Sequence, residues 1–310
     1  MLNYYIKRIL SAILTLFIIA TLTFFMMKLM PGGPFARERT IAPEILAQLE
    51  EKYNLDDPIF KQYFDYMVGM VQFDFGNSFK ELGINVADQI LLKFPVSLKL
   101  GALATLFVVI IGLPIGIVSA LKQNTWIDHI AMLIATIGVT IPSFVVATVF
   151  ISVFAGQLGW VDAFGLDKWT SYIGPVLALS AYALSFVSRL TRSSMLEVLR
   201  QDYMRTARAN GLSKIRVLYK HALKNALIPV VTYLGPMFAA IITGSFVVER
   251  VFAIGGLGKY YVESVTNRDY TMIMGVTVFY AAIYIAMVLL VDIAYSWIDP
   301  RIKLGKKPGE

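Results

Sequence analysis

Six long apolar stretches divide this chain, and they restrict its possible folds more than any other feature. A helix that spans a membrane needs about 20 mostly apolar residues, and the turn signals of a strand series do not recur at short intervals. Hydrophobic residues make up 57% of the chain and charged residues 16%, whereas soluble domains carry about 25% charged residues. We therefore predict an all-α integral membrane protein with six transmembrane helices. The predicted spans are Ile9–Met27, Leu98–Leu121, Ile130–Phe154, Ile173–Val187, Ala226–Val248 and Met272–Trp297.

The first apolar stretch has two interpretations. Lys7 and Arg8 precede it, as basic residues precede a cleaved signal peptide. Its apolar run is longer than the roughly 7–15 residues of a signal, and Met30–Pro34 contains no small-x-small cleavage pattern. We expect it to be retained as the first span. The composition also excludes a disordered chain, and the absence of cysteine excludes disulfides and thiolate metal sites.

The basic residues between the spans predict the orientation. Residues 189–225 contain nine basic and two acidic residues, a net charge of +7 that equals the net charge of the whole chain. Residues 31–95 have a net charge of −4. The positive-inside rule places the basic segment and both termini in the cytoplasm. Because the surplus is local, nucleic acid is not expected as a partner. The predicted organisation is a cytoplasmic amino terminus with the first helix (1–30), an extracytoplasmic segment (31–96), a five-helix core (97–298) and a cytoplasmic tail (299–310).

The extracytoplasmic segment contains a predicted amphipathic helix. Asp57 and Pro58 are typical of a helix start, with a capping residue followed by proline in the first turn. The apolar positions that follow share one helical face. They are Ile59, Tyr63, Tyr66, Met67 and Met70. Two compatible interpretations stay open: a helix lying on the bilayer surface, and a rim that receives something from outside.

The basic segment, Arg189–Asn225, predicts two helices joined by a bend. Gly211 suits the left-handed position after a helix end, and Ser213 can cap the next helix. The second helix has a basic face of Arg216, Lys220 and Lys224 and an apolar stripe. The stripe is Ile215, Leu218, Tyr219, Ala222, Leu223 and Ala226. Charge alone favours attraction to anionic lipid, but the glycine bend makes a compact knob, which suits insertion into a partner's groove.

One run in this segment resembles the cytoplasmic coupling motif of binding-protein-dependent ABC importers. It is Asp202-Tyr203-Met204-Arg205-Thr206-Ala207-Arg208-Ala209-Asn210-Gly211-Leu212-Ser213. It is similar to the peptide and nickel branch, where the pattern reads D-Y-x-R-T-A-R-A-x-G-L-S. Arg205 and Thr206 stand where the wider superfamily has Glu and Ala, so no role of that Glu is carried over. Ala207 and Gly211 fit both patterns.

Further motifs extend the resemblance over nearly the whole chain, on matching topology. They are Arg8–Leu10 through Met30–Pro34, Leu55–Ile59, Asp74–Ser78, Ile141–Phe144, Arg189–Leu196, Gly255–Gly258, Asn267–Tyr270 and Asp299–Ile302. The long segment after the first span resembles the B-type permease subunit of oligopeptide and dipeptide importers. This resemblance implies a type I ABC importer permease fold in a bacterial cell membrane.

The resemblance also implies partners and roles. The expected partners are a second, C-type permease subunit, two cytoplasmic ATPase subunits that use ATP and Mg, an extracytoplasmic peptide-binding protein and membrane lipid. The chain itself is expected to bind no cofactor and to catalyse no reaction. Within the motif, Arg205 and Arg208 would contact an ATPase groove, Gly211 permits the bend, and Ala207 and Ala209 allow close approach. Ile215, Leu218 and Leu223 would anchor the knob to the bundle.

Several sequence features argue against other chemistry. Gly258-Lys259 is a near miss to a phosphate-binding loop, because Tyr260 replaces the Ser or Thr and Ala253 the first Gly. His129 and His221 have no carboxylate cluster at ligand spacing. The intramembrane Asp292 is expected to reach head groups or to pair with a basic residue of segment 189–225.

Small residues and prolines in the spans suggest close packing and bends. Gly101, Thr105, Gly112, Gly116 and Ala120 recur in the second span, and Ala240 and Gly244 in the fifth; they suit packing within the chain or at a subunit seam. Pro114, Pro142, Pro229 and Pro236 can interrupt backbone bonds. Three alternatives stay open: a nickel-importer permease, a proton-coupled secondary transporter and a membrane-anchored scaffold.

Overall fold

A computed structural model describes residues 2–35 and 42–298. Within these ranges the chain is helical, and its one β-bridge joins Asn77 to Asn85. The predicted Asp299–Ile302 motif and the tail lie outside the described residues. The helices are α1 Leu2–Leu29, α2 Pro43–Lys52, α3 Ile59–Val71, α4 Val86–Phe107, α5 Leu113–Leu121, α6 Trp126–Thr140, α7 Ser143–Phe150, α8 Ile173–Leu199, α9 Asp202–Ala209, α10 Lys214–Arg216, α11 Lys224–Ala226, α12 Ile228–Thr243, α13 Phe246–Val251, α14 Leu257–Asn267 and α15 Tyr270–Ile298.

Five helical stretches in the described part of the chain are long and apolar enough to cross a membrane. They are Tyr5–Leu29, Val86–Leu121, Trp169–Leu199, Ile228–Val251 and Tyr270–Ile293. The third predicted span is not one straight helix, because Trp126–Thr140 and Ser143–Gln157 meet at an angle of 102°. Counted as one broken span, this pair completes the six predicted spans and the all-α membrane fold.

Pro142 explains the break in the third span. Proline disfavours helical backbone at the residue before it, and Ile141 is extended, with φ −86° and ψ 123°. Pro142 then precedes the first residue of α7. The other span prolines bend the chain less. Pro114 and Pro229 lie near the starts of α5 and α12, but the residues before these helices already have helical backbone, so each proline removes one N–H donor from a continuing helix. Pro236 lies inside α12.

Wide helical turns with i→i+5 hydrogen bonds interrupt three of the helices. Val108–Gly112 joins α4 to α5, Ile151–Gln157 extends α7, and Val217–Leu223 joins α10 to α11. Such turns are uncommon in proteins, and those that occur are often found at functional sites. Their presence means that a 3.6-residue period does not predict the buried face throughout these segments.

The described residues form two compact units by their contacts. Unit one contains the described residues up to Val96 and from Gly255 onward. Its core joins α1, α4, α14 and α15, with α3 packed against it through Tyr66, Met67 and Met70. The fully buried members of this core include Ala20, Val86, Ile90, Leu257, Met272 and Val276.

The helix predicted at Asp57-Pro58 is α3, which begins at Ile59. The predicted cap is wrong in detail: Pro58 occupies the N-cap position with no side-chain capping bond, and the Asp57 carboxylate instead accepts a hydrogen bond from Lys61 Nζ at 2.8 Å. Tyr63 shares a hydrogen bond with Thr21 of α1, whereas Ile59 is half exposed. The predicted apolar face is therefore used for packing, apart from its first residue.

Unit two, Ser97–Ile254, is organised around α8. The small residues predicted in the second span pack within the chain. A Cβ atom added to Gly116 would lie 2.5 Å from the Ser188 carbonyl oxygen, a distance that no side chain tolerates. One added to Gly101 would lie 2.6 Å from Ile242 Cγ1. These glycines therefore let the second span approach α8 and α12 closely.

Candidate functional site

The predicted coupling motif forms the short helix α9, which has one buried and one exposed side. Met204 and Ala207 are buried, so Ala207 faces the chain's own core and is not open to a partner, contrary to the expectation for it. Ala209 is exposed. The other exposed residues of the helix are Asp202, Tyr203, Arg205, Thr206 and Arg208. The charged groups of the motif thus lie on the surface.

A sharp bend follows α9 at Gly211, as the sequence predicts. Gly211 has φ +73°, and its N–H donates to the Arg208 carbonyl at 3.0 Å. No atom outside its immediate chain neighbours lies within 4 Å of an added Cβ, so backbone conformation, and not space, requires glycine here. Ser213 then caps the next helix, its Oγ accepting a hydrogen bond from the Arg216 N–H at 3.4 Å.

The second arm runs from Lys214 to Ala226 through the wide turn Val217–Leu223. Leu218 and Leu223 pack inward as predicted. The anchoring role predicted for Ile215 is wrong, since its side chain is 71% exposed, and Val217 is buried instead. The i→i+5 turn explains the error, because it shifts the apolar face away from the register of a regular α-helix.

The two arms, residues 202–226, are here called the two-helix segment, and they share one apolar base. Ser194 Oγ of α8 donates to the Ala226 carbonyl at 2.8 Å, and Asn225 Nδ2 donates to Tyr203 Oη at 3.0 Å, which ties the arms together. The buried residues of the base are Ala120, Met195, Met204, Ala207, Val217, Ala222 and Ala226. This base holds the segment on α5 and α8, so movement of the segment would be passed to these helices.

The outward side of the two-helix segment is basic and only weakly paired. Arg205 lies 3.8 Å from Asp202, and their side chains are 78% and 97% exposed. Such an exposed pair contributes little to stability. Arg208, Arg216 and Lys220 of the segment are exposed too, together with Tyr219. The side therefore offers guanidinium groups and an aromatic ring to a binding partner.

A buried ion pair near this segment was missed by the sequence analysis. Asp128 is 1% exposed and accepts two hydrogen bonds from Arg192, each of 2.7 Å. It also accepts hydrogen bonds from Ser119 Oγ and from the Asn124 N–H. The cluster joins α5, α6 and α8. The available signal was a carboxylate, Asp128, in the first turn of α6.

Three of the outer motifs meet in unit one, at what we call the motif junction (residues 31–33, 77–79 and 268–272). Asp269 is buried and accepts hydrogen bonds from Ser78 Oγ, the Phe79 N–H at 3.1 Å and Thr271 Oγ1 at 3.0 Å. Arg268 Nη1 donates to the Pro31 carbonyl at 2.9 Å. Motifs far apart in the chain thus meet here, at the buried Asp269 carboxylate and at an exposed hydrogen bond between Arg268 and Pro31.

The intramembrane carboxylate Asp292 is paired, but not as predicted. Its partner is Arg8 of α1, at 2.5 Å, and not a residue of segment 189–225. The two helices pack side by side in unit one, so the carboxylate is neutralised locally. Among the described residues, no group of three His, Asp or Glu side chains could hold a metal ion.

Fold and site together define a class: a helical multi-span membrane protein that carries a basic two-helix segment on a buried base. Residues 112–304 match the family model described as the binding-protein-dependent transport system inner membrane component. Residues 1–102 match the corresponding model for the N-terminal region. The chain belongs to this family.

Two curated relatives are similar over their whole length. The dipeptide transport system permease protein DppB of Bacillus subtilis (strain 168) is 49% identical over 310 residues, which are 99% of this chain and 100% of the relative. The oligopeptide transport system permease protein OppB of Salmonella typhimurium (strain LT2) is 46% identical over 305 residues, with coverage of 98% and 100%.

Solved structures confirm the fold. A chain of the MetNI methionine ABC transporter in an inward-facing conformation superposes with a TM-score of 0.57 at 18% identity, covering 68% of this chain and 96% of that one. A chain of an amino acid ABC transporter crystallised with histidines gives a TM-score of 0.50 at 20% identity, with coverage of 69% and 94%. The fold is therefore that of ABC importer permeases.

Proposed function

We propose that this chain is a transmembrane permease subunit of an ATP-driven, binding-protein-dependent importer of dipeptides or oligopeptides. The observation that carries the proposal is the similarity, from end to end, to permease proteins named for dipeptide and oligopeptide transport. The likeness to amino acid and methionine transporters supports the fold alone. Asp292 is paired with Arg8, so helix packing in unit one accounts for its position in the span without proton coupling.

The two-helix segment is proposed to receive the motion of an ATPase. Its exposed basic side suits a groove of opposite charge, where guanidinium groups would make charge-assisted hydrogen bonds. Its buried base on α5 and α8 would carry that motion into the spanning helices and shift the population of outward-open and inward-open states. In this proposal the chain catalyses no reaction, and ATP and Mg bind to the partners.

The proposed partners follow from this mechanism. They are a second permease subunit, two cytoplasmic ATPase subunits, an extracytoplasmic peptide-binding protein and membrane lipid. The net charge of +7 on residues 189–225 supports a cytoplasmic position for the two-helix segment and both termini in a bacterial cell membrane. Residues 31–96, with their acidic surplus, would then face outward.

Gly211→Val tests the coupling role. A β-branched residue in left-handed backbone costs about 1–3 kcal/mol. The turn at position 211 would therefore relax, and the two helices would no longer keep their relative orientation. We expect normal membrane insertion but loss of peptide uptake and of peptide-stimulated ATPase activity in the reconstituted complex. Gly159→Val is the matched control: it has φ +63° and no atom within 4 Å of an added Cβ, but it lies outside the segment.

The outcomes separate the parts of the proposal. Uptake that is unchanged in Gly211→Val, or lost equally in Gly159→Val, contradicts the coupling assignment. Uptake by the wild-type complex that persists without ATPase subunits and collapses with the proton gradient contradicts the ATP-driven mechanism. If the wild-type complex takes up Ni²⁺ but not the dipeptide Ala-Phe, the proposed peptide substrate is contradicted.

A further inference from the structure

A groove of about 200 Å³ lies in unit two, beside the break in the third predicted span. Ile141 and Ser143, on the two sides of Pro142, line it together with residues of α8 and α12. Tyr182 of α8 also lines it, nine residues after Ile173 and thus about 14 Å along the helix. The hydrocarbon core of a bilayer is about 30 Å thick, so this break groove lies within the depth of the membrane.

The break leaves three backbone carbonyl groups at the end of α6 without a backbone donor. The last hydrogen bond of α6 runs from the Ile141 N–H to the Ile137 carbonyl at 3.0 Å, and Pro142 has no N–H to continue the series. Beyond the break, the Val145 N–H donates to the Pro142 carbonyl at 3.0 Å. Within the described residues, the carbonyls of residues 138–140 therefore accept no backbone hydrogen bond across the break.

These carbonyl groups are not suited to contact with lipid. Acyl chains offer no hydrogen-bond donor, so backbone that is not helical at membrane depth is tolerated only where protein buries it or where it lines a water-filled cavity. The chain itself does not bury this break, since Thr140, Ile141 and Pro142 are all exposed. The break therefore faces either water or another protein chain.

Two hydroxyl groups in the break groove favour water. Tyr182 is 56% exposed, and neither its hydroxyl nor that of Ser143 has a hydrogen-bond partner among the described residues. A close protein contact would bury these groups, and each buried polar group that is left without a partner costs free energy. Water, or the polar backbone of a passing peptide, satisfies the hydroxyl and carbonyl groups together.

The exposed surface of α6 divides into two sides, which separates a polar face from a lipid face. Thr136 and Thr140 are exposed on one side, and each hydroxyl donates to the carbonyl one turn earlier. Ile130, Ile134 and Ile137 are exposed on the other side, about a third of a turn around the helix. The isoleucine side suits acyl chains, so lipid contact of α6 does not require the threonine side or the break.

We propose that the break groove lines the water-filled path through which the peptide crosses the membrane. The carbonyls of residues 138–140 accept hydrogen bonds from N–H groups of the peptide backbone, and the hydroxyls of Ser143 and Tyr182 bind its carbonyl groups. Contacts of this kind do not depend on the side chains of the peptide, so the groove accepts peptides of different sequence. The peptide as cargo rests on the proposed function, whereas the water-filled groove rests on the break and the exposed hydroxyls.

The absence of cysteine allows single-cysteine variants of this chain to test the groove. The complete transporter in nanodiscs is treated with a membrane-impermeant methanethiosulfonate reagent, and labelling is measured on this chain alone. The reagent reacts with the thiolate, which forms only where water reaches the sulfur, so Tyr182→Cys and Ser143→Cys should react at least about tenfold faster than Ile134→Cys. Ile134→Cys is the matched control, because Ile134 is 57% exposed on the isoleucine side of α6.

Protection by peptide tests the cargo. The binding protein loaded with Ala-Phe, compared with the same protein free of peptide, should slow labelling at both groove positions at least about threefold, since a bound peptide excludes the reagent in proportion to its occupancy. Labelling of Ile134→Cys should not change. Ser143→Cys replaces one oxygen atom by sulfur, so it gives the result even if Tyr182→Cys does not fold.

Every other outcome contradicts a stated part of the proposal. Equal rates in the groove variants and in Ile134→Cys overturn the water-filled groove. Rapid labelling that the loaded binding protein does not slow overturns the peptide contact. Uptake of Ala-Phe by the wild-type complex is measured in parallel. Wild-type uptake with slow labelling at both groove positions overturns the groove alone, whereas absence of wild-type uptake contradicts the proposed function.

Discussion

The two-helix segment and the motif junction both concentrate polar residues, but they expose them to opposite degrees. In the two-helix segment the Asp202 side chain is 97% exposed, and its contact with Arg205 is 3.8 Å long. In the motif junction Asp269 is buried and receives hydrogen bonds from the Ser78 side chain and the Phe79 backbone, nearly 200 residues away, and from the nearby Thr271 side chain. The charged side chains of the two-helix segment make no strong contacts within the chain, whereas the Asp269 carboxylate of the motif junction is fully engaged by donors of the chain itself.

This difference teaches how to separate residues that stabilise the chain from residues that serve a partner. A buried charge with several donors is costly to disturb, because each donor loses its acceptor. An exposed charge with one long contact contributes almost nothing to stability. Substitutions of the two kinds should therefore separate stability from transport.

The largest effect is expected at the buried ion pair beneath the two-helix segment. Arg192→Ala leaves the Asp128 carboxylate buried without its two strongest donors, and should lower stability by about 3–5 kcal/mol. Thermal unfolding of the purified protein in detergent measures this. The exposed Arg200→Ala is the control and should leave the melting temperature unchanged. Recovery of most of the loss in Asp128→Leu/Arg192→Met would show that the penalty is the unpaired charge; equal melting of Arg192→Ala and wild type contradicts the assignment.

The next effect is expected at the motif junction. Asp269→Asn keeps the shape but replaces one acceptor oxygen by a donor, which opposes the Ser78 hydroxyl or the Phe79 N–H. We expect a loss of about 1–3 kcal/mol by the same unfolding measurement. Asp202→Asn makes the same chemical change at the exposed site and should cost less than about 0.5 kcal/mol. Similar losses in both variants would remove the distinction between the sites.

A third test is expected to change transport but not stability. Arg205→Ala/Arg208→Ala should change stability by less than about 0.5 kcal/mol, because both side chains are exposed. Peptide uptake by the reconstituted complex should nevertheless fall at least tenfold, since charge-assisted contacts to the ATPase are lost. Lys122→Ala/Arg200→Ala removes two exposed positive charges outside the two-helix segment and is the control. Full uptake in the arginine variant would mean that these exposed charges only set the orientation of the chain in the membrane and do not couple it to an ATPase.

The smallest effect concerns Tyr260, whose hydroxyl donates to Glu81 Oε2 at 2.6 Å. Burial, and then the hydrogen bond to Glu81, raises the pKa of Tyr260 above its usual value of 10.0. The stabilisation is therefore fully present below pH 10 and is lost as pH rises above it, where the unfolded state ionises first. Tyr260→Phe should cost less than about 1 kcal/mol at pH 7. Its difference from the wild type should narrow above pH 10, and a difference independent of pH contradicts this.

The sequence predicted those features that depend on neighbouring residues. The apolar stretches, the bend at Gly211, the cap at Ser213 and the break at Pro142 each follow from local backbone chemistry. The motif resemblance identified the family before any contact was known. The position of Ile215 was mispredicted because a wide turn changed the period of the helix. That turn leaves no mark in a single apolar pattern.

Pairs distant in the chain could not be predicted. Asp128 and Arg192 are 64 residues apart, and Ser78 and Asp269 are 191 apart; no periodicity connects them. Asp292 was expected to reach head groups or to pair with a basic residue of segment 189–225, whereas it pairs with Arg8, a choice that depends on which helices pack together. The groove that brings Tyr182 beside the break at Pro142 also arises from helix packing, and Tyr182 alone reads as an ordinary core residue.

The pairing of Arg8 with Asp292 also has a consequence for biosynthesis. The two residues are 284 positions apart, and a ribosome adds about 5–20 residues per second, so roughly 15–60 s separate their synthesis. During that time the Arg8 guanidinium group has no carboxylate partner, and the packing of the first helix against the last cannot form. A chain truncated before its last helix should therefore be kept by chaperones or degraded, because Arg8 of its first helix lacks the carboxylate with which it pairs.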